Sequence, residues 1–139
     1  MLPGFIFHHI GVAVLDIEAT ANLYVQGGYH RSSVIYDQIQ NINVCWLTKE
    51  GSPTIELLAP VDDKSPVKRI LEKNGVTPYH FCYSVDSIES AVTELKGQGY
   101  ILINKPVEAV AIRSSRICFL FNKNIGLIEL VEAPAVISE

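Results

Sequence analysis

The sequence predicts an α+β fold: two tandem βαβββ modules that form one cupped mixed sheet, with the helices on its outside. An internal repeat is the first observation behind this prediction, because His9 and His80 are each followed by Val at +5, Ile at +8 and Glu at +9. A second repeat closes each half, where a Cys-aromatic-Leu run, seven residues and Ile-Glu-Leu span 45–57 and 118–130. Repeats of this size indicate two copies of one supersecondary unit.

Length and composition fit one domain over residues 1–139, with 48% hydrophobic residues to build its core. A net charge of −4 with scattered basic residues gives no sign of a nucleic-acid partner. The three cysteines form no Cys-x-x-Cys pair, which favours free thiols in a reducing compartment. No signal-peptide pattern and no apolar run of about 18 residues is found. We therefore expect a soluble, cytoplasmic protein without a membrane partner.

The first module is predicted over about residues 5–60. Phe7–Val14 alternates and is rich in β-branched residues, which is typical of a strand. Apolar residues take helical spacing from Asp16 onward, and Gly27-Gly28 ends that helix. Three further strands are predicted at Ser33–Ile39, Ile42–Thr48 and Thr54–Leu58.

A linker helix is predicted at about residues 63–75, with Ser65 as its cap and Pro66 in its first turn. The second module, at about residues 78–133, repeats the order of the first. Its helix is predicted at Asp86–Lys96, with Asp86 as the N-cap. Its strands are predicted at Tyr79–Val85, Tyr100–Ile103, Arg116–Phe121 and Leu127–Val131.

Strand alternation places the repeated His and Glu residues on one face of the sheet, opposite the bulky apolar residues. The neighbours of the two histidines on that face are small, among them Gly11 and Cys82. Small neighbours leave room for a bound ligand, whereas an ordinary core would fill the space. The same alternation predicts that His8 faces the helices and is structural, and that Cys82 is a small filler.

Two imidazoles and two carboxylates form a set that suits a borderline divalent ion such as Zn, Ni, Co, Mn or Fe(II). The sequence therefore predicts a metal site with four candidate ligands: His9, Glu56, His80 and Glu129. Taken singly, each histidine can be explained as a buried core residue whose hydrogen bonds are satisfied, and each glutamate as an ordinary residue near the end of a strand. Their recurrence in matching phase in both halves favours the metal site. Six-coordinate geometry then leaves two positions for a pair of substrate oxygens.

The sequence resembles the vicinal oxygen chelate superfamily, which includes the glyoxalases, bleomycin-resistance proteins and dioxygenases. Within it, the resemblance is greatest to the methylmalonyl-CoA epimerase and lactoylglutathione lyase-like group. The motifs that carry the resemblance are His9–Val14, Ile55–Pro60, Ser65–Gly75, Tyr79–Phe81 and Gly126–Leu130.

This resemblance implies that the four candidate ligands hold a divalent metal. It implies an isomerase, epimerase or lyase that removes a proton next to the carbonyl of a small acyl thioester or similar compound. The metal stabilises the resulting enolate. Glu129 is then the catalytic base. A homodimer is also implied, and the spare strand edges of two modules favour it.

One part of the family pattern is missing. The epimerases have an acidic residue just before the third strand, and Ile39 takes that position here. Epimerisation needs an acid and a base on opposite faces of the reacting carbon. Asp37 reaches the site only if the strand register shifts. Gln38 and Gln40 can bind a substrate but cannot remove a proton, and Arg113 is a further candidate contact for a substrate phosphate or carboxylate.

Three other functions remain open. An extradiol dioxygenase uses two His and one carboxylate, but Glu56 then occupies one of the open metal positions. The second alternative is a protein that binds a small antibiotic-type molecule, with or without metal. Such a protein would not need the missing acidic residue. Thiol transfer of the fosfomycin-resistance type is also open, but four protein ligands again leave little room for a substrate at the metal.

Overall fold

The computed structural model describes residues 1–139 and has ten β-strands and three α-helices. The first module contains β1 (Ile6–Ala13), α1 (Ile17–Gln26), β2 (His30–Arg31), β3 (Ile35–Asp37), β4 (Ile42–Thr48) and β5 (Ile55–Pro60). The linker helix is α2 (Pro66–Asn74). The second module contains β6 (Thr77–Val85), α3 (Ile88–Gly97), β7 (Ile101–Leu102), β8 (Val107–Ala109), β9 (Ser115–Asn122) and β10 (Gly126–Glu132). No helix is long and apolar enough to cross a membrane.

All ten strands belong to one curved mixed sheet, which confirms the predicted α+β class. The strand order is β2-β4-β5-β1-β6-β10-β9-β7, with β3 paired to β4 and β8 paired to β9. At the centre, β1 and β6 pair antiparallel, and each has the glutamate strand of its own module as a parallel neighbour. The four central strands therefore carry the four candidate ligands. The sheet ends in two-residue strands, β2 and β7, and edges this short offer little for pairing with another chain.

Helices α1 and α3 pack against the outer face of the sheet, opposite the candidate ligands, and leave Phe7 and Phe81 of the central strands exposed. In α1, Ile17 and Ala21 pack into a core cluster with Leu57, and in α3, Ile88 and Leu95 pack into another. The linker helix α2 packs instead with residues of the inner face, the face that carries the candidate ligands. Its buried side chains, Val67 and Leu71, belong to the same cluster as Ala13, Leu58 and Trp46.

Two β-bulges interrupt the pairing of β1 with β6, one beside each histidine. Phe7 pairs with Tyr83 and His9 with Cys82, so His8 is the extra residue in β1. Gly11 pairs with His80 and Val12 with Pro78, so Tyr79 is the extra residue in β6. A bulge re-aims the side chains next to it. The prediction that His8 faces the helices is therefore wrong, because it assumed unbroken alternation; Nδ1 of His8 lies 2.7 Å from Nδ1 of His9.

The helix caps differ from two of the sequence predictions. In α3 the N-cap is Ser87, one residue beyond the predicted Asp86, and its hydroxyl accepts a hydrogen bond from the main-chain N–H of Ser90 at 3.3 Å. Ser65 stands at the N-cap position of α2 but makes no side-chain cap hydrogen bond. At α1, Asp16 accepts from the N–H of Ala19 at 3.0 Å, and Gly27 ends the helix as predicted.

The cap assignment predicts different effects for two neighbouring substitutions. Ser87→Ala removes an acceptor from the first turn of α3 and should lower the free energy of unfolding by about 1 kcal/mol. Asp86→Ala removes no cap and should change it by less than about 0.5 kcal/mol. Urea denaturation of both variants measures the difference. A larger loss in Asp86→Ala than in Ser87→Ala would contradict the assignment.

Candidate metal centre

The four candidate ligands meet on the inner face at the centre of the sheet, and none is more than 4% exposed. Nε2 of His9 lies 3.3 Å from Oε1 of Glu56, 3.2 Å from Oε1 of Glu129 and 3.3 Å from Nε2 of His80. Nε2 of His80 lies 3.6 and 3.8 Å from the same two carboxylate oxygens. Residues from four strands and both modules thus converge on one point.

These distances fit a single divalent ion. Ligands held at about 2.1 Å from one metal lie about 3.0 to 4.2 Å from each other, and the distances above fall within that range. Oε1 of Glu56 and Oε1 of Glu129 are buried and have no hydrogen-bond partner. Unsatisfied buried carboxylate oxygens are costly, and a cation between them satisfies both. The mixture of imidazole and carboxylate donors favours Zn, Ni, Co or Mn.

Gly11 determines the position of the His80 ring. The two residues are cross-strand partners, and a Cβ atom at position 11 would overlap that ring. The small residue beside the histidines therefore makes room for a candidate metal ligand. The sequence prediction that this space would receive a bound molecule is wrong at this position. Cys82, by contrast, is fully buried in the inner cluster, as predicted for a filler.

Aromatic side chains fix the orientation of both imidazoles. The ring of Trp46 lies 4.9 Å from that of His9, and its indole N–H donates to the carbonyl of Ala111 at 2.9 Å. The His80 ring has two such neighbours, Tyr79 at 4.6 Å and Phe119 at 5.2 Å between ring centroids. No role for Tyr79 was predicted from the sequence, because only the bulge brings its side chain to this face.

Without metal, the centre contains one positive charge, on His9. Burial disfavours the charged form of His9, but the charges of Glu56 and Glu129 and its contacts with both outweigh burial and raise its pKa to about 9. Burial lowers the pKa of His80 to about 4. Burial raises the pKa of Glu56, whereas for Glu129 the contact with His9 outweighs burial and lowers the pKa. A divalent metal must therefore displace the proton on His9.

A cleft of about 500 Å³ opens beside the centre. Tyr79 and Phe119 line it and also contact the ring of His80, so the cleft borders the centre through these two side chains, although none of the four candidate ligands lines it. Lys64 and Tyr79 are its only titratable side chains. The rest of the lining is mostly apolar, including Ile42, Val67, Ile70 and Leu127. This volume and lining are typical of sites for small organic ligands.

The other sequence candidates are placed differently. Gln40 lines the cleft, and its main-chain N–H and side-chain amide donate to Asp37 at 2.9 and 2.8 Å. Gln38 and Arg113 are exposed and do not line the cleft, so their roles in substrate binding stay predictions. Ile39 lines the cleft and is 64% exposed.

Asp37 reaches the inner face without a shift of register, which corrects the sequence prediction. It is buried and pairs with Ile42, a residue of the inner cluster. Cross-strand partners share a face of the sheet. Asp37 nevertheless does not line the cleft.

The sheet and its buried His and Glu side chains define the class of the protein. Residues 8–119 match the model of the glyoxalase/bleomycin resistance protein/dioxygenase superfamily, and the chain belongs to that superfamily. Its similar relatives are methylmalonyl-CoA epimerases. The ethylmalonyl-CoA/methylmalonyl-CoA epimerase of Cereibacter sphaeroides is 30% identical over 129 residues, which cover 88% of this chain and 94% of the relative.

Solved structures agree with this assignment. The crystal structure of methylmalonyl-CoA epimerase from Mycobacterium tuberculosis superposes with a TM-score of 0.83 at 27% identity, covering 95% of this chain and 91% of the other. A variant of the Streptomyces coelicolor methylmalonyl-CoA epimerase in complex with 2-nitronate-propionyl-CoA superposes with a TM-score of 0.79 at 27% identity, covering 96% and 97%. These relatives confirm the predicted resemblance. They support an enzyme of the epimerase type and give no support to a lyase.

The raised pKa of His9 predicts that metal binding releases a proton. At pH 7 His9 is protonated and His80 is neutral, so binding of Zn²⁺ should release at least one proton per site, and affinity should rise with pH up to about 9. Isothermal titration calorimetry in buffers of different ionisation enthalpy measures the number released. Binding that releases no proton between pH 6 and 8 would contradict the charge assigned to His9.

Proposed function

We propose that the protein is a metal-dependent epimerase of a small acyl-CoA thioester of the methylmalonyl-CoA type. The observation that carries the proposal is the buried centre formed by the four candidate ligands beside a cleft of suitable volume. The epimerases among its relatives support this substrate class. When bound, the metal polarises the thioester carbonyl and stabilises the negative charge that develops on its oxygen.

Glu129 is the base in this proposal. Its Oε1 is buried without a hydrogen-bond partner, and its lowered pKa keeps the carboxylate ionised at neutral pH. In the proposed reaction the substrate reaches Glu129 from the cleft past Tyr79 and Phe119, and Glu129 accepts the proton from the carbon next to the thioester carbonyl. Cys82 does not compete for this role, because burial raises the pKa of its thiol well above the usual value.

Tyr79 is the second proton-transfer group. Inversion requires a donor on the opposite face of the carbon, and Ile39 supplies none. Tyr79 lines the cleft and lies against His80, with ring centroids 4.6 Å apart. Burial, together with the charges of Glu56 and Glu129, raises the pKa of Tyr79, so its hydroxyl stays protonated. In the proposed reaction it returns a proton to the carbon, and exchange with water then restores the proton of Tyr79 and removes the one on Glu129.

The polar part of the substrate meets the rim of the cleft. Lys64 is the one cationic side chain in the lining and pairs with a substrate phosphate or carboxylate. Gln40 presents an amide whose orientation is held by Asp37. Gln38 and Arg113 are second candidates for the exposed end of a long thioester such as a CoA ester.

We also propose a homodimer through the outer face of the two central strands. Phe7 and Phe81 are 43% and 50% exposed there, with ring centroids 6.1 Å apart. An exposed apolar patch near a twofold axis of the fold suits a symmetric contact. Light scattering should give twice the mass of the chain, and Phe81→Glu should give a monomer. A wild-type monomer at working concentration would refute the proposal.

Proton exchange in D₂O tests the reaction and distinguishes the roles of Glu129 and Tyr79. Wild-type protein loaded with Zn, Ni, Co or Mn should interconvert the two epimers of methylmalonyl-CoA and exchange the proton at C2, as followed by NMR. Glu129→Gln should slow both processes about 10²- to 10⁴-fold. Tyr79→Phe should slow epimerisation to a similar extent but retain metal and still exchange the proton of the epimer that faces Glu129.

The control is Tyr36→Phe, because Tyr36 is an exposed tyrosine outside the cleft. Wild-type epimerisation by Tyr79→Phe would remove Tyr79 from the mechanism. Absence of exchange with all four metals would contradict an epimerase. It would favour the second candidate, a ligand-binding protein, because none of the four candidate ligands lines the cleft. Such a protein would bind its ligand equally well as metal-free wild type and as His9→Ala.

A further inference from the structure

His8 lies behind His9, on the side away from the other candidate ligands. Nδ1 of His8 lies 2.7 Å from Nδ1 of His9, and Nε2 of His8 lies 2.7 Å from the main-chain carbonyl oxygen of Ala135. Neither contact uses Nε2 of His9, which points to Glu56, Glu129 and His80. The three groups therefore form a chain of hydrogen bonds that ends at the candidate metal centre.

The chemistry of these atoms fixes the direction of both hydrogen bonds. A carbonyl oxygen only accepts, so Nε2 of His8 carries a proton and donates it to Ala135. A neutral His8 that carries its one proton on Nε2 has only a lone pair on Nδ1, so Nδ1 of His8 accepts across the 2.7 Å contact with Nδ1 of His9. Nδ1 of His9 must donate the hydrogen bond between the two rings. In neutral His9 the free lone pair is therefore on Nε2, the atom that faces the candidate metal centre.

The carbonyl of Ala135, the last acceptor in this chain of hydrogen bonds, is held in place by the surrounding structure. Ala135 packs against the inner core cluster. Three residues further on, Ser138 donates from its N–H to the carbonyl of Ala111 and from its hydroxyl to the carbonyl of Val110, both at 2.8 Å. On the other side, the main-chain N–H of Ala133 donates to the carbonyl of Val85 at 2.9 Å, so the segment that carries the Ala135 carbonyl is held on both sides.

We propose that His8 is a positioning residue that fixes the tautomer and the orientation of His9 for metal binding. This inference rests on the proposed metal centre. The bulge in β1 makes the contact, because unbroken alternation would turn His8 to the outer face. The second half has no such device: the equivalent bulge residue is Tyr79, which lines the cleft, and Nδ1 of His80 has no partner.

Three variants test this role. His8→Leu removes the acceptor for His9 Nδ1 and should weaken zinc binding about 10- to 100-fold. His8→Gln offers an amide oxygen to His9 and an amide N–H to Ala135, so it should restore most of the affinity. His30→Leu is the matched control, because His30 is an exposed histidine in β2, and it should bind zinc as the wild type does. Competition with a chromophoric chelator measures each affinity, and circular dichroism and thermal unfolding check the fold.

The ¹⁵N chemical shifts of the histidine ring nitrogens provide a readout that would be unaffected if His8 had only a structural role. Long-range ¹H–¹⁵N correlation spectra of the wild type should show His8 neutral and protonated on Nε2, and His9 protonated on Nδ1 with and without zinc. Zinc binding by His8→Leu at wild-type affinity, or His8 protonated on Nδ1, would overturn the inference while leaving the metal centre intact. A wild type that binds none of Zn, Ni, Co or Mn would instead overturn the metal centre and this inference with it.

Discussion

The two histidine strands lie side by side at the centre of the sheet, and this pairing decides where every functional group is placed. The contact of Gly11 with His80 across the pair brings the two imidazoles together, since any larger residue at position 11 would occupy the ring's space. Parallel pairing then adds one glutamate strand on each outer side. Neither module has a complete set of candidate ligands, so the centre exists only when both halves fold together.

Burial of two imidazoles and two carboxylates is costly unless their charges are balanced. In the metal-free protein the proton on His9 partly balances Glu56 and Glu129, which explains why two chemically identical rings have opposite pKa shifts. A metal bound at this centre would therefore compete with the proton on His9 for the same place. The remaining protein groups serve to hold this arrangement: Trp46 and Phe119 restrict the rings, and His8 fixes the proton on the far side of His9.

The repeat in the sequence was sufficient to predict the fold class and the four residues that converge, because both depend on regular periodicity. It did not predict the bulges. A one-residue insertion in a strand reverses the faces of the residues beside it, and neither His8 nor Tyr79 carries a local signal for that irregularity. The short strands β2 and β8 were missed because two or three residues show no period. The meaning of Gly11 was also beyond the sequence, since a small residue can make room for a ligand or for a neighbouring side chain.

The two bulge residues show how a duplicated architecture becomes directional. His8 and Tyr79 are 71 residues apart, as are His9 and His80, so they are the same position in the two halves. In an exactly symmetric fold, the two bulge residues would have equivalent surroundings. Here Tyr79 lines the open cleft, whereas His8 contacts the segment around Ala135, which packs against the inner core cluster. The two halves therefore differ because different segments follow their glutamate strands: α2 and the residues before it border the cleft with Tyr79, whereas the segment after β10 packs beside His8.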